Sequence, residues 1–333
     1  MADVQERLVS ALSAADDALS RLDERVRACP YRAGWAARQD FLEAVAYGWN
    51  SGFVAPLEDL ILHDEGMDVR MPDEALRAAH GVVRARRKAQ QGDGALLSSA
   101  GAAWLAGRRR RAPSPPLPAA RTKLDEQLPI LADLVQRLEA LRAGVTEGSD
   151  AAVAEWLTVL AVNDPRLPAT LQAAAALEGW RIVEPYARET YVGPLLVAVW
   201  LRERRRLRHV LLGVEAGYRG IMRKTRPSPA LPPAERILFW LAVLAESASE
   251  AAEGLNRLEL ARQVCVTRIG PRRSHSHLGK LVDLMLTRPA VSAPFVADRL
   301  KVSPQSARRL LGELGGTVTE ISGKARFRAW RLG

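Results

Sequence analysis

Through most of this chain leucine and alanine recur at intervals of three and four residues, the spacing that lines one face of an α-helix. The stretch 4–26, VQERLVSALSAADDALSRLDERV, shows the pattern plainly, and it returns over 74–91, 124–143, 149–162, 171–180, 193–206, 234–253 and 255–268. Alternation of β-branched with polar residues, which would mark strands, is scarce before the C-terminal segment. The fold class expected is therefore mainly α.

At 333 residues the chain has room for two domains. Its 48% hydrophobic and 26% charged residues suit a globular protein rather than a disordered one. No uncharged apolar run approaches the ~20 residues needed to span a bilayer, and MADVQERLVS places acids where a signal peptide needs basic and then apolar residues. Two distant cysteines, Cys29 and Cys265, without a CxxC pairing, leave neither a disulfide scaffold nor a thiolate metal site. No metal and no cofactor are expected, no membrane partner, and a reducing cytosol is the expected setting.

Proline and glycine set the expected boundaries. GRRRRAPSPPLPAAR (107–121) disfavours both helix and strand and reads as an exposed linker. It divides an N-terminal helical region, 1–106, from a helical core, 122–270. TRPSPALPP (225–233) is a second break, and 270–276 precedes a terminal module, 271–333. That module carries twelve Lys or Arg against four acids, so +8 of the net +10 lies in its 63 residues. A basic module on a near-neutral body points to a polyanion.

The order of residues within the module sharpens this. SHLGKLVDLMLTRP (276–289) reads as a helix ending near Pro289. Ser292 is a candidate N-cap with Pro294 in the first turn, and that helix runs to Leu300. After the short Lys301-Val302 turn, Ser303 caps a second helix with Pro304 at its first position, running to Leu314. Two helices so joined form a helix-turn-helix. Val296, Leu300 and Val302 are expected to pack on Ala307, Leu310, Leu311 and Leu314. Gln305, Ser306, Arg308 and Arg309 then face outward, with Gln suited to adenine and Arg to guanine in a major groove. TVTEI (317–321), a Ser322-Gly323-Lys324 turn and RFRAWRL (326–332) read as a β-hairpin. Val318, Phe327 and Ala329 form its expected inward face. The expected module is a winged helix-turn-helix on double-stranded DNA. Gln305, Arg308 and Arg309 would read bases, while Ser303, Ser306, Lys324, Arg326 and Arg328 would hold phosphates.

Three stretches of the body resemble the Fic (AMP-transferase) family. EAVAYGWNSGFVAPLEDLIL (43–62) is similar to a Fic segment that ends in L-E-D-L-L, with Gly52 and Leu57-Glu58-Asp59-Leu60 matching. NDPRLPATLQAAAALEGWRIVEPY (163–186) resembles the helix that enters the family's H-P-F loop, with Pro185 and Tyr186 for its Pro and Phe. From Leu195 onward the order of elements, winged helix included, is similar too. GPLLVAVWLRERRRLRHVLLGVEAGYRGI and SGKARFRAWRLG further resemble a plasmid-borne bacterial family that joins a Fic-like region to a helix-turn-helix. The resemblance implies a Fic-like helical body.

Active Fic proteins carry H-P-F-x-D/E-G-N-G-R-x-x-R, where the His is the base, the acid holds Mg²⁺ and the glycines with Arg cradle phosphates. Here EPYARETYVGP (184–194) stands in that place. Glu184 replaces the base, Arg188 replaces the acid, and Glu189-Thr190-Tyr191 replaces G-N-G. Of its glycines Gly193 remains, followed by Pro194. A backbone anion nest is not expected without glycine. Tyr47 and Ser51 replace the Ser/Thr and Glu of the family's inhibitory segment. The resemblance therefore implies a catalytically silent body serving dimerisation or sensing, and a DNA-binding transcriptional regulator, as a homodimer. The competing readings are a nucleotidyl (AMP) transferase acting on protein hydroxyls through Glu184, and a protein-interaction adaptor.

The remaining features have plainer readings. His63, His80, His209, His275 and His277 form no HExxH or comparable spacing. The tryptophans sit on Ala/Leu-rich helical patterns as core or interface anchors. A second basic cluster, 202–210 with Arg219, Arg223, Lys224 and Arg226, is either a solvated helix face or an auxiliary anion contact. The 108–111 arginine run reads first as a solvated loop.

Overall fold

The computed structural model describes residues 2–67, 71–92, 94–109, 150–161, 167–225, 231–270, 277–322 and 328–332. In the described residues the helices are α1 (Ala2–Ala28), α2 (Arg32–Asn50), α3 (Leu57–Asp64), α4 (Glu74–Gln91), α5 (Ser99–Leu105), α6 (Asp150–Ala161), α7 (Ala169–Val183), α8 (Val192–Glu203), α9 (Val214–Lys224), α10 (Pro233–Ile269), α11 (His277–Thr287), α12 (Ala293–Leu300) and α13 (Pro304–Glu313). The strands are β1 (Val291–Ser292), β2 (Val318–Glu320) and β3 (Ala329–Leu332). The chain is mainly α with a helix-turn-helix at its C-terminal end. The Arg/Pro segment from 110, the helix expected over 124–143 and residues 323–327 lie outside the described residues.

Helix boundaries follow the local chemistry. The runs expected over 234–253 and 255–268 are one helix, α10, that passes through Gly254 without a break. A mid-helix glycine costs about 1 kcal/mol, and this is outweighed by burial of Leu255, Leu258 and Cys265 beyond it. At the C-cap of α7 the chain turns through Glu184 at φ 42°, ψ 56°, and after α12 through Lys301 at φ 55°, ψ 46°. Both are left-handed positions that usually fall to glycine.

The chain forms two compact units, each discontinuous in sequence. One holds 1–24 and 81–250, the other 25–80 and 251–333; the division falls within α1, α4 and α10. The sequence boundaries 1–106, 122–270 and 271–333 are therefore not those of the compact units. The terminal segment shares its unit with residues 25–80 and with the end of α10.

In the first unit α7 is buried on all sides. Ala173, Ala174, Ala175 and Ala176 have no exposure, and Leu177 and Trp180 are buried beside them. Indole N–H groups find acceptors at this depth: Trp156 donates to the Ala176 carbonyl at 2.8 Å, Trp180 to Thr190 at 3.0 Å and Trp200 to Leu160 at 3.0 Å. Trp240 donates to the buried carboxylate of Glu178 at 2.8 Å, which Arg181 (2.7 Å) and Arg236 (2.8 Å) neutralise. A buried acid needs such partners to remain charged. Trp49, which belongs to the second unit, stands 51% exposed and is no core anchor.

In the second unit, α2 lies across the end of α11. A Cβ on Gly34 would run into the Leu286 carbonyl, so only glycine permits this approach. Arg38, one turn on, donates to the carbonyls of Met285 (2.6 Å), Leu286 (3.1 Å) and Arg288 (2.6 Å), as well as to Gly34 in its own helix (2.8 Å). Those are the orphan acceptors of a helix C-terminus, met by a cation. Farther along the unit, Arg268 at the end of α10 does the same for α13, donating to Leu314 at 2.7 Å. These clamps are why 271–333 does not stand apart.

The strands form one antiparallel sheet in the order β1-β3-β2. Val318 pairs with Leu332, Thr319 with Arg331 and Glu320 with Trp330, while Val291 pairs with Trp330 and Ser292 with Ala329. The hairpin is shorter than 317–321 and 326–332, and β1 is an additional strand of two residues. The buried side chains are Ala329, Trp330 and Leu332, with Val318 half-buried. Phe327 lies outside the described residues.

Candidate nucleic-acid interface

Two serines set the helix-turn-helix. Ser292 Oγ accepts from Phe295 N at 3.4 Å to start α12, and Ser303 Oγ accepts from Ser306 N at 3.1 Å to start α13. Each cap is worth roughly 1 kcal/mol. Between them the Val302 N–H donates back to Ala297 at 3.0 Å, closing the turn. Val296, Ala307, Leu310, Leu311 and Leu314 are buried where the helices meet, while Leu300 and Val302 are half-buried.

This packing rotates the rest of α13 outward. Gln305, Arg308 and Arg309 are exposed, and Ser306 is half-buried. Arg309 lies 3.7 Å from Glu313 one turn later, a loose exposed pair that adds little energy. Ser303 and Ser306 are bonded to each other through their hydroxyls at 2.9 Å, so Ser303 acts first as a cap. The arrangement gives a helix N-terminus, its backbone dipole and two arginines on one exposed face, which suits a polyanion.

The hairpin residues divide. Lys324 and Arg326 lie outside the described residues. Arg328 is not the free cation expected of it: its guanidinium forms a two-pronged pair with Glu320 across β2 and β3 and lies over the Trp330 ring at 5.3 Å. The same hydrogen bonds hold the Glu320 carboxyl below its usual range. Nothing in the one-dimensional pattern marked Glu320 as this partner, because the pairing follows from strand register.

The segment 184–194 of the first unit has a filled interior. Glu184 is exposed at the left-handed end of α7. Tyr186 is fully buried; its hydroxyl meets Asp150 at 3.1 Å, and the Arg108 guanidinium lies 4.2 Å from its ring centre. Burial, then the Asp150 carboxylate, pushes the Tyr186 hydroxyl up to about 12. Arg108, exposed at the first position of the 108–111 run, also pairs with Glu189 at 2.7 Å. Pro185 is buried and Arg188 is exposed. Gly193 sits at the start of α8, where a Cβ would collide with the Trp180 ring. Its glycine is accounted for by packing.

The second basic cluster is largely engaged within its own unit. Arg206 bonds Asp16, Ser20 and Thr170, Arg204 lies over Trp200, and Lys224 meets Glu246 at 2.6 Å. The backbone N–H groups of Arg208 and His209 donate to Asp23 at 3.0 and 2.7 Å. No helix among the described residues is long and apolar enough to cross a membrane.

Comparisons with known proteins agree with the terminal geometry. A family described as a protein of unknown function (DUF1612) matches residues 147–270, and one described as an HTH DNA-binding domain matches residues 278–332. Among solved structures, a Fic family protein from Desulfovibrio desulfuricans G20 is similar over 98% of this chain and 96% of its own, with a TM-score of 0.47 and 13% identity. The uncharacterized protein y4cF of Sinorhizobium fredii (strain NBRC 101917 / NGR234) is 32% identical over 362 aligned positions, covering 93% of both chains. With that identity over nearly its whole length, this chain belongs to the family of y4cF.

Proposed function

We propose that this protein is a transcriptional regulator that reads duplex DNA through α13 and a wing formed by β2 and β3, with a body that does no nucleotide chemistry. The single observation that carries the reading is the exposed face of α13, bearing Gln305, Arg308 and Arg309, within the segment matched by the HTH DNA-binding family. Gln305 and Arg308 reach base edges, Arg309 reaches a base or a phosphate, and the N-terminus of α13 at Ser303 and Ser306 approaches the backbone. Lys324 and Arg326, which lie between β2 and β3 in the sequence, are proposed as further phosphate contacts.

The proposal of a non-catalytic body rests on residue chemistry. Glu184 and Arg188 stand where the Fic base and metal-holding acid belong, and the interior of the loop is filled by Tyr186, Asp150 and Arg108. The body then serves to bring two copies together or to sense a ligand. As a homodimer the protein binds a two-fold symmetric site with half-sites about 34–36 Å apart. Its setting is the bacterial cytoplasm, on the nucleoid.

Selection of bound sequences from random duplexes tests the reading. A recovered palindrome whose binding is lost in Arg308→Ala supports it. Transfer of label from ATP in the presence of Mg²⁺, abolished by Glu184→Ala, contradicts the non-catalytic body, and absence of duplex retention at low salt contradicts the regulator.

A further inference from the structure

The second unit holds a partly open cavity of about 290 Å³ between α2, α3, the part of α10 near Leu258 and strand β3. Trp35, Phe41, Leu42, Leu57, Ile61 and Leu258 make its apolar wall. Its charged lining is cationic: Arg38, Arg257 and Arg331 face it with Gln39, and no acid lies among the described lining residues. Its volume is at the lower end of small-molecule pockets, roughly 300–1,000 Å³.

The three arginines are not equally committed. Arg38 is engaged by four backbone carbonyls. Arg257 lies 3.7 Å from Glu253 in an exposed pair. Arg331 is the exception, with a buried Nε that has no hydrogen-bond partner and a terminal nitrogen 3.8 Å from Glu58, at the outer limit of an ion pair. The positive charge is also felt by its neighbour: burial, and then Arg331, bring the Arg38 guanidinium down to about 10. A carboxylate on the terminal nitrogens of Arg331, which Glu58 reaches at 3.8 Å only, would offset this charge.

We propose that this cavity binds a small apolar carboxylate, its carboxylate on Arg331 and its body against Trp35, Phe41 and Leu258, and that occupancy changes affinity for DNA. Arg331 and Leu332 belong to β3, which pairs with Thr319 and Val318 of the wing, so the ligand touches the strand that carries the wing. The ligand site stands on the cavity alone; its effect on DNA rests on the regulator reading above.

The test titrates the full-length protein by calorimetry with 2-naphthoate and with octanoate, each against its uncharged amide. At least one acid binds tenfold or more tightly than its amide, and Arg331→Met removes that preference. Saturating acid shifts the dissociation constant for a selected duplex at least threefold in the unsubstituted protein. Equal affinity for acids and amides, or no binding by either, overturns the site, a comparison that does not depend on how the variant folds. Retained preference in a folded Arg331→Met protein overturns the role of Arg331. Unchanged duplex affinity at saturation overturns the effect on DNA. An acid preference without duplex retention under any condition upholds the site and overturns the regulator reading.

Discussion

The guanidinium of Arg38 donates to the carbonyl of Met285 at 2.6 Å, tying α2 to the last turn of α11 across nearly 250 residues of sequence. Hydrogen bonds from a charged donor contribute about 1.5–3 kcal/mol each, and they are not additive. Arg38→Ala leaves three carbonyls of the α11 end and its continuation without this donor. The expected loss in stability is about 3 kcal/mol in urea unfolding. Arg38→Lys recovers less than half of it, because a point charge cannot serve the same carbonyls in a plane.

Lys301 holds a left-handed conformation between α12 and α13, with φ 55°. For a side-chain-bearing residue that conformation costs about 1–2 kcal/mol, and glycine recovers part of it against a more flexible unfolded chain. Lys301→Gly is expected to leave stability unchanged or raise it by up to about 1 kcal/mol in thermal unfolding. The exposed contact with Asp298 at 3.1 Å is too weakly held to reverse the sign.

The helix-turn-helix was legible because its signals are local. Ser292 and Ser303, each followed by proline, fix two helix starts within a few residues, and the structure places both caps as the spacing predicts. Helices with long apolar periods were legible for the same reason. The strand β1 was not, since two residues carry no period. Nor was the grouping of 25–80 with the terminal segment, which depends on Gly34 and Arg38 meeting a helix end far away in sequence. Arg328 read as a free cation because Glu320 becomes its neighbour only through strand register. Arg331 went unremarked as a site for the same kind of reason: its surroundings come from α2, α3 and α10 together.

Tyr186 gives a pH dependence of definite sign. Its hydroxyl has an ordinary value of 10 and is pushed up to about 12 in the folded protein. The folded state therefore holds its proton more tightly, so the contribution is complete below pH 10 and is lost as pH rises through 12. The effect is on the order of 2 kcal/mol. Compared by chemical denaturation from pH 9 to 12, Tyr186→Phe is less stable at the lower end and shows a shallower decline.

Glu320 sets the charge of the wing. With Glu320→Gln the Arg328 guanidinium loses its carboxylate partner and becomes available to phosphate. Affinity for non-specific duplex is expected to rise, and the slope of log affinity against log salt to steepen by about 1. Fluorescence anisotropy across a salt series reads both quantities. Glu320 is held ionised by Arg328 below the usual carboxylate range, so the stability from this pair is present above that range and is lost as pH falls through the lowered value.

The most direct test of DNA reading by α13 is the affinity of the full-length protein for its selected duplex and for a scrambled one, measured by anisotropy over a salt series, beside Arg308→Ala. The account predicts tight, salt-sensitive binding that prefers the selected sequence, with Arg308→Ala costing about 1–3 kcal/mol on that sequence and narrowing the preference. Binding that ignores salt and sequence, or an Arg308→Ala protein that binds the selected duplex as well as the unsubstituted chain, would contradict it.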